Sequence, residues 1–158
     1  MMGLEVSRFR RSREMRPEEV ERFLTGHWWG VLATSVDDEP YAVPVVYGRA
    51  GDDFYVVARE GRKVRNIRRN AAVCLTVTRV EEEGRGWSSV VISGEARLVR
   101  GPRHWAAALR ALRGQCGMNR PVTPEDALRL ARARVVRIQP DRVTGRTVAP
   151  RRGSSTGV

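Results

Sequence analysis

Lysine is almost missing from this sequence: of the 29 basic side chains in 158 residues, all but Lys63 are arginine. Histidine and cysteine are nearly as scarce, at two each. Cys74 and Cys116 stand far apart with no C-x-x-C, and His27 and His104 have no further ligands beside them, so neither a zinc site nor a disulfide scaffold is expected. The thiols fit a reducing compartment, and the expected location is cytoplasmic. No stretch approaches the ~18 consecutive apolar residues of a membrane span, and the arginine-rich first 16 residues lack the apolar run of a signal peptide. The chain also lacks G-x-G-x-x-G after a strand, G-x-x-x-x-G-K-[ST] and H-E-x-x-H. Its carboxylates fall chiefly in turns and first helical turns, where capping and solubility account for them. If this is an enzyme, no catalytic acid or base is evident and its hard chemistry is expected from a cofactor.

What is abundant is arginine, giving a formal net charge of +11. A basic excess ordinarily raises a nucleic-acid reading. Here the arginines are spread over the whole chain, which reads as compositional bias rather than a phosphate-binding stripe, so a nucleic-acid partner is not expected. The solitary lysine is informative in a different way. An ammonium and a guanidinium are not interchangeable at an anion site, although chance alone could leave one lysine over.

The length suits one domain with a substantial core. Residues 1–14 read as a mobile arm, 15–148 as the domain, and 149–158, rich in glycine and serine, as a disordered tail. Pro17, Glu18 and Glu19 mark a helix start, with Val20, Phe23 and Leu24 on one stripe and Gly26 as its stop. Short runs rich in branched residues follow at 30–35, 41–47 and 54–58, separated by turn residues, which predicts an antiparallel meander. A short helix follows Lys63 and ends at Asn70. Strands are expected at 72–80 and 87–99 around an acidic loop at 81–86, then a helix from Gly101 to Arg113, a loop at 114–120, and a helix from Thr123 to about Arg132. Two short strands, 135–138 and 142–148, complete the pattern. The fold class expected is mainly β with flanking helices, as a small antiparallel barrel.

One segment points to chemistry. The strand at 54–58 runs into Arg59-Glu60-Gly61-Arg62-Lys63 and then a helix, so two cations and free backbone amides converge on a helix start. That arrangement suits an anion such as a phosphate. The same residues also read as a solvated basic helix.

The run from residue 30 to 99 resembles the pyridoxamine 5′-phosphate oxidase-like, FMN-binding split-barrel superfamily, and within it the nitroimidazole-resistance-protein-like flavoproteins. The resemblance is carried by Gly-Val-Leu-Ala-Thr (30–34), Pro-Tyr-Ala-Val-Pro-Val-Val-Tyr (40–47), Gly-Arg-Lys-Val-Arg-Asn-Ile-Arg-Arg-Asn (61–70), Trp-Ser-Ser-Val-Val-Ile-Ser-Gly-Glu-Ala (87–96) and Val-Val-Arg-Ile-Gln-Pro-Asp-Arg-Val-Thr-Gly (135–145), in this order and spacing. It implies a six- to seven-stranded antiparallel split β-barrel. It further implies that Gly61, Arg62 and Lys63 bind the FMN phosphate, with Val57 and Ala58 beside the ribityl phosphate and Pro44, Val45 and Val46 along the ring. Trp87, Ser88 and Ser89 match the segment that approaches the flavin from the second subunit of a homodimer.

Two departures qualify the expected activity. Nitroimidazole-resistance relatives usually carry histidine where Arg62 stands, and the tryptophan and arginine motif of the vitamin-B6 oxidases has no counterpart in 142–152. The implied function is therefore a flavin-dependent oxidoreductase that reduces a small molecule, nitroaromatic- or quinone-like, with a nicotinamide as a candidate donor. Rival readings are a deazaflavin-dependent reductase of the same fold, to which a Gly-Arg-Arg-Lys-x-Arg-Asn segment in that branch is similar, and a non-catalytic flavin- or haem-binding module.

Overall fold

The computed structural model describes residues 11–81, 86–116 and 132–148, and within them seven strands and three helices. In chain order these are β1 (Arg13–Glu14), α1 (Pro17–Thr25), β2 (Trp29–Val36), β3 (Glu39–Ala50), β4 (Asp53–Arg59), α2 (Arg62–Arg69), β5 (Ala72–Val80), β6 (Trp87–Val99), α3 (Pro102–Cys116) and β7 (Ala133–Val148). Every pairing is antiparallel, in the order β1-β7-β4-β3-β2-β5-β6, and β6 pairs back onto β7. Strands β2 to β7 therefore close a ring, as the hairpin-rich sequence predicts. The helix expected at 123–132, the tail, most of the acidic loop and residues 1–10 of the arm lie outside the described residues, apart from Arg132.

The period-two alternation fills the barrel. Leu32 and Thr34 of β2, Val73, Leu75 and Val77 of β5, and Val90, Ile92 and Ala96 of β6 all point inward and are buried. Each such large aliphatic side chain contributes roughly 1.5–3 kcal/mol by leaving water. The β2–β3 hairpin closes through Asp37 and Asp38 at φ 52° and 60°. Both central residues of a tight hairpin turn need positive φ, and aspartate is among the few side chains that tolerate it.

Strand β3 changes partner along its length. Residues Glu39 to Val46 pair with β2, and Tyr47 to Ala50 pair with β4. The Tyr47 N–H donates to the Trp28 carbonyl at 2.9 Å, so odd-numbered residues of this stretch turn their amides toward β2. Even-numbered residues turn theirs to the opposite, unpaired edge, where Pro40 and Pro44 have no N–H at all. The β3–β4 ladder stops at Tyr47 opposite Val56, and beyond it the barrel is split.

Three observations correct the expected boundaries. The segments at 135–138 and 142–148 form one strand, β7, because the turn-like Gln139-Pro140-Asp141 is absorbed as a bulge: Ser93 faces Arg142 and Gly94 faces Pro140, leaving Asp141 unopposed. Gly94 permits this, since a Cβ there would lie 2.1 Å from the Gln139 carbonyl oxygen. Helix α3 continues to Cys116. Arg13–Glu14, read with the arm, pair with Arg146 and Thr147 as β1.

Helix α1 packs Leu24, Val20 and Phe23 on the core, and the Tyr47 hydroxyl donates to the Leu24 carbonyl at 3.1 Å. Helix α3 covers β3, β4 and β7 through Ala108 and Ala111, packed with Tyr55 and Val135. Among the described residues no helix is long and apolar enough to cross a membrane.

Two predictions follow from this packing. At Gly48 a Cβ would meet the Ala111 carbonyl carbon and the Leu112 nitrogen at 2.4 Å, both backbone atoms. Gly48→Ala is expected to destabilise by about 1–3 kcal/mol, measured by urea unfolding, because helix α3 must lift from β3. The second concerns the clasp between β1 and α1. Arg13 donates two hydrogen bonds to Glu19, at 2.7 and 2.8 Å, and the Arg16 amide donates a third at 2.8 Å. These hold the Glu19 carboxyl down from 4.5 to about 2. A depressed carboxyl stabilises the fold above its unfolded value and loses that contribution as pH falls through the folded one. The melting temperature is expected to drop between about pH 4.5 and 2, with Glu19→Gln lacking that component of the drop.

Candidate functional site

Strand β4 delivers the chain through Glu60 and Gly61 into α2. The first intrahelical bond runs from the Arg65 amide to the Gly61 carbonyl at 3.0 Å, so the amides of Arg62, Lys63 and Val64 precede it and have no intrahelical acceptor. This first turn contains no acidic residue. The positive end of the helix dipole therefore carries two cations, a like-charge arrangement that an anion relieves. Lys63 is half-buried and makes no ion pair among the described residues. Glu60, the nearest acid before the helix, is held by Arg68 and lies 3.5 Å from Arg134. The Arg68 hydrogen bond keeps its carboxyl below the usual carboxylate range.

The helix is fixed on the barrel end. Val64 and Ile67 enter the core, and the buried Asn66 amide donates to the Thr34 hydroxyl at 3.0 Å. At the far end the Asn70 side chain donates to the Ser35 carbonyl and accepts from the Ala72 amide. An anion at 61–63 would meet donors held by the core rather than by a loop.

The split in the barrel leads to this helix start. Pro44, Val45 and Val46 lie on its β3 side, and Val57 and Ala58 on its β4 side. The Val45 and Ala58 side chains are buried, Val57 is half-buried, and Pro44 and Val46 face outward. Along the β3 edge before Val46, alternation turns the Ala42 amide and the carbonyls of Pro40, Ala42 and Pro44 away from β2. Gly61, Arg62 and Lys63 close the end of the same split.

Trp87, Ser88 and Ser89 are not part of that cluster. They begin β6, three strands from β3 in the order β3-β2-β5-β6, or about 14 Å at the usual strand spacing. Ser88 shares a hydrogen bond with Thr147 at 2.8 Å, and Ser89 with Thr78 at 3.1 Å. Trp87 and Ser89 point outward, as Pro44 and Val46 do, but β6 stands opposite β3 in the closed ring. Outward residues of this sheet include Val46, Trp29 and Val31, which are 39%, 46% and 37% exposed, and Trp87, which is 36% exposed.

Sequence reasoning did not single out Glu39, Tyr41 or Trp29. The Arg62 guanidinium lies 4.7 Å over the Tyr41 ring and donates to Glu39 at 3.0 Å. Trp29 faces Val46 in register. The Trp28-Trp29 pair was visible as two large aromatics ahead of a strand; the other two contacts depend on α2 folding back over the β2–β3 hairpin, which no local pattern encodes. Among the described residues no group of three or more His, Cys, Asp or Glu is placed to hold a metal ion.

Comparison with known proteins agrees with this architecture. The family model described as pyridoxamine 5′-phosphate oxidase matches residues 16–147. An uncharacterized protein of Rhizobium meliloti (strain 1021) is 33% identical over 82 residues, which is 52% of this chain and 54% of that protein. The match thus spans about half the length of this curated relative. An FAD-binding protein from Mesorhizobium loti has a TM-score of 0.70 at 26% identity, over 87% of this chain and 99% of that one. A candidate 5-nitroimidazole antibiotic resistance protein from Bacteroides thetaiotaomicron has the same fold, with a TM-score of 0.70 at 19% identity over 87% of each chain. With the split barrel in place and the family model covering residues 16–147, this chain belongs to the pyridoxamine 5′-phosphate oxidase family.

Proposed function

We propose that this protein is a flavoprotein that holds the phosphate of its flavin, FMN in the simplest case, at the start of α2, and works as an oxidoreductase on a small acceptor of nitroaromatic or quinone type with a nicotinamide donor. The observation that carries this reading is the α2 start itself: free amides, a Lys63 with no ion pair among the described residues and an adjacent Arg62, with no acid in the first turn. The residues fit the group. Arg62 and Lys63 supply charge-assisted hydrogen bonds to phosphate, and the unpaired β3 edge offers backbone donors and acceptors at the polar rim of a flavin ring. The FAD-binding neighbour at 26% identity supports a flavin as the ligand. When bound, a flavin supplies two-electron chemistry to small acceptors. The chain's own residues anchor the phosphate, line the ring and exclude water from the split.

The working unit is a homodimer. Among the described residues, the outer face bearing Trp29, Val31, Pro44 and Val46 is apolar and exposed, and contiguous exposed apolar patches of this kind mark association sites. A second copy of the chain on that face brings the partner's β6 start, with its Trp87 and Ser89 positions, toward the split.

The first test is flavin titration. Lys63→Ala is expected to weaken FMN binding by roughly 10–100-fold through loss of a charge-assisted bond to phosphate, while riboflavin, which lacks the phosphate, is unaffected. Equal FMN affinity for wild type and variant would sink the assignment. The second test is assembly. Val31→Glu puts a charge on the exposed face without touching the core, and sedimentation is expected to show a monomer whose flavin affinity has fallen with its self-association; an unchanged dimer would remove this face as the interface.

A further inference from the structure

A cleft of about 500 Å³ opens between α1, the β3–β4 hairpin and the bulge of β7, and its lining shares no residue with the α2 start. That volume is within the range of small-molecule sites. The floor is apolar: Met15, Leu24 and Phe54 belong to the core, and Val20 packs against it. The walls are held in place, since the Met15 amide donates to the Gly145 carbonyl at 2.8 Å and so ties the start of α1 to β7.

Arg49 stands in this cleft with part of its guanidinium unused. Its side chain is only 15% exposed, the guanidinium carbon lies 5.2 Å from the centroid of the Phe54 ring, and Nη1 donates to Glu21 at 2.6 Å. Among the described residues Nε is buried without an acceptor, and Nη2 has none either. A buried donor without a partner carries a desolvation cost that a ligand oxygen removes. The side edge of a guanidinium, Nε with Nη2, is also a fork that takes a carboxylate in paired hydrogen bonds.

The charge of the rim points to a second group on the same ligand. In a chain of net charge +11, the cleft is lined by Glu14, Glu21, Asp52 and Asp141 against Arg49 and Arg142. Arg49 and Glu21 cancel, which leaves three acids facing one arginine, and none of these makes an ion pair among the described residues. Topology brings two of the acids together. Phe54 pairs with Ile138, and that register carried two residues further sets Asp52 level with Pro140, next to Asp141, which the bulge leaves unopposed.

We propose that this cleft binds a free α-amino acid with an apolar side chain, its carboxylate on the open edge of Arg49, its ammonium at Asp52 and Asp141, and its side chain over Phe54 and Leu24. Each part answers a different feature. The guanidinium edge calls for an anionic, two-oxygen partner, yet the acidic rim repels a plain carboxylic acid. A plain amine suits the rim and leaves Arg49 unsatisfied. A zwitterion meets both signs at once, and a charged side chain in place of an apolar one is rejected by the floor. The site does not depend on the flavin reading.

The test is isothermal titration calorimetry on the full-length protein with L-leucine, with 3-methylbutylamine, which lacks the carboxylate, and with 4-methylpentanoate, which lacks the amine. The series is repeated on Arg49→Gln and on Asp52→Asn combined with Asp141→Asn, with melting temperatures recorded for each. Wild type is expected to bind L-leucine saturably and each truncated analogue at least about tenfold more weakly. The aspartate double variant is expected to lose about tenfold for L-leucine and the amine, with 4-methylpentanoate bound no worse. Arg49→Gln is expected to lose about tenfold for L-leucine and 4-methylpentanoate, with the amine unaffected. If Arg49→Gln melts far below wild type, the two analogues and the exposed aspartates still decide the matter. No saturable binding of L-leucine to wild type overturns the site. Amine binding as tight as that of L-leucine overturns the role of Arg49, and L-leucine affinity unchanged in the aspartate variant overturns the seat of the ammonium.

Discussion

The change of partner in the middle of β3 is the constraint on which the rest of this structure depends. Up to Val46 the strand belongs to β2, and from Tyr47 it belongs to β4. Hydrogen bonding along β4 would extend the second pairing toward Glu39 if the edge could accept it. Pro40 and Pro44 remove two of the amides that such a ladder needs, on the one edge where proline is tolerated, while the opposite edge keeps its full complement toward β2. The ring therefore closes with a gap rather than a seam. The edge left open is short and proline-blunted, which guards it against pairing with a foreign strand, yet it retains backbone groups that need partners. Two residues later, Gly48 lets α3 press against the same strand, so the segment that opens the barrel on one side of Tyr47 is clamped on the other.

Charge in this molecule is informative only after the committed arginines are set aside. Arg13 is paired with Glu19, Arg49 with Glu21, Arg137 with Asp53, Arg69 with Asp37 and Arg68 with Glu60. Arg69–Asp37 and Arg68–Glu60 are exposed on both sides, and such pairs add at most about 1 kcal/mol each to stability. They do not explain the fold, but each neutralises one arginine locally and leaves the net excess unchanged. Among the described residues of α2, Lys63 and Arg65 make no ion pair, and they stand two positions apart, on different sides of the helix. An arginine-rich composition scattered over the sequence thus resolves into a small number of available cations next to a helix start.

The strands were legible because the alternation that buries Leu32, Leu75 and Ile92 is written residue by residue, and the hairpins because Asp37-Asp38 and Gly51-Asp52 are turn residues. Closure of the ring was expected only by class: nothing in the spacing of β6 and β7 specifies their register. The bulge at Asp141 hid one strand as two, since Gln139-Pro140-Asp141 has turn composition and only the contact with Gly94 shows that the sheet absorbs it. Strand β1 escaped notice because two charged residues carry no periodicity; what orders them is the Arg13–Glu19 pair, a contact across α1's first turn. At the site the anion-binding start of α2 was readable from Gly61-Arg62-Lys63, whereas Tyr41 and Glu39 reach Arg62 only through the hairpin's return beneath the helix.

The distance between the two halves of the expected site has a physical consequence. Pro44, Val46, Trp87 and Ser89 all point outward but stand three strands apart, on opposite sides of the ring and too far for one ligand ring to touch both within a chain. A two-fold contact between copies resolves the separation where it sets β6 of one copy against β3 of the other and the reverse. The proposed dimer then accounts at once for the exposed Trp29 and Val31 and for two segments of the expected site that the fold itself keeps apart. A monomer would leave each of these features separately unexplained.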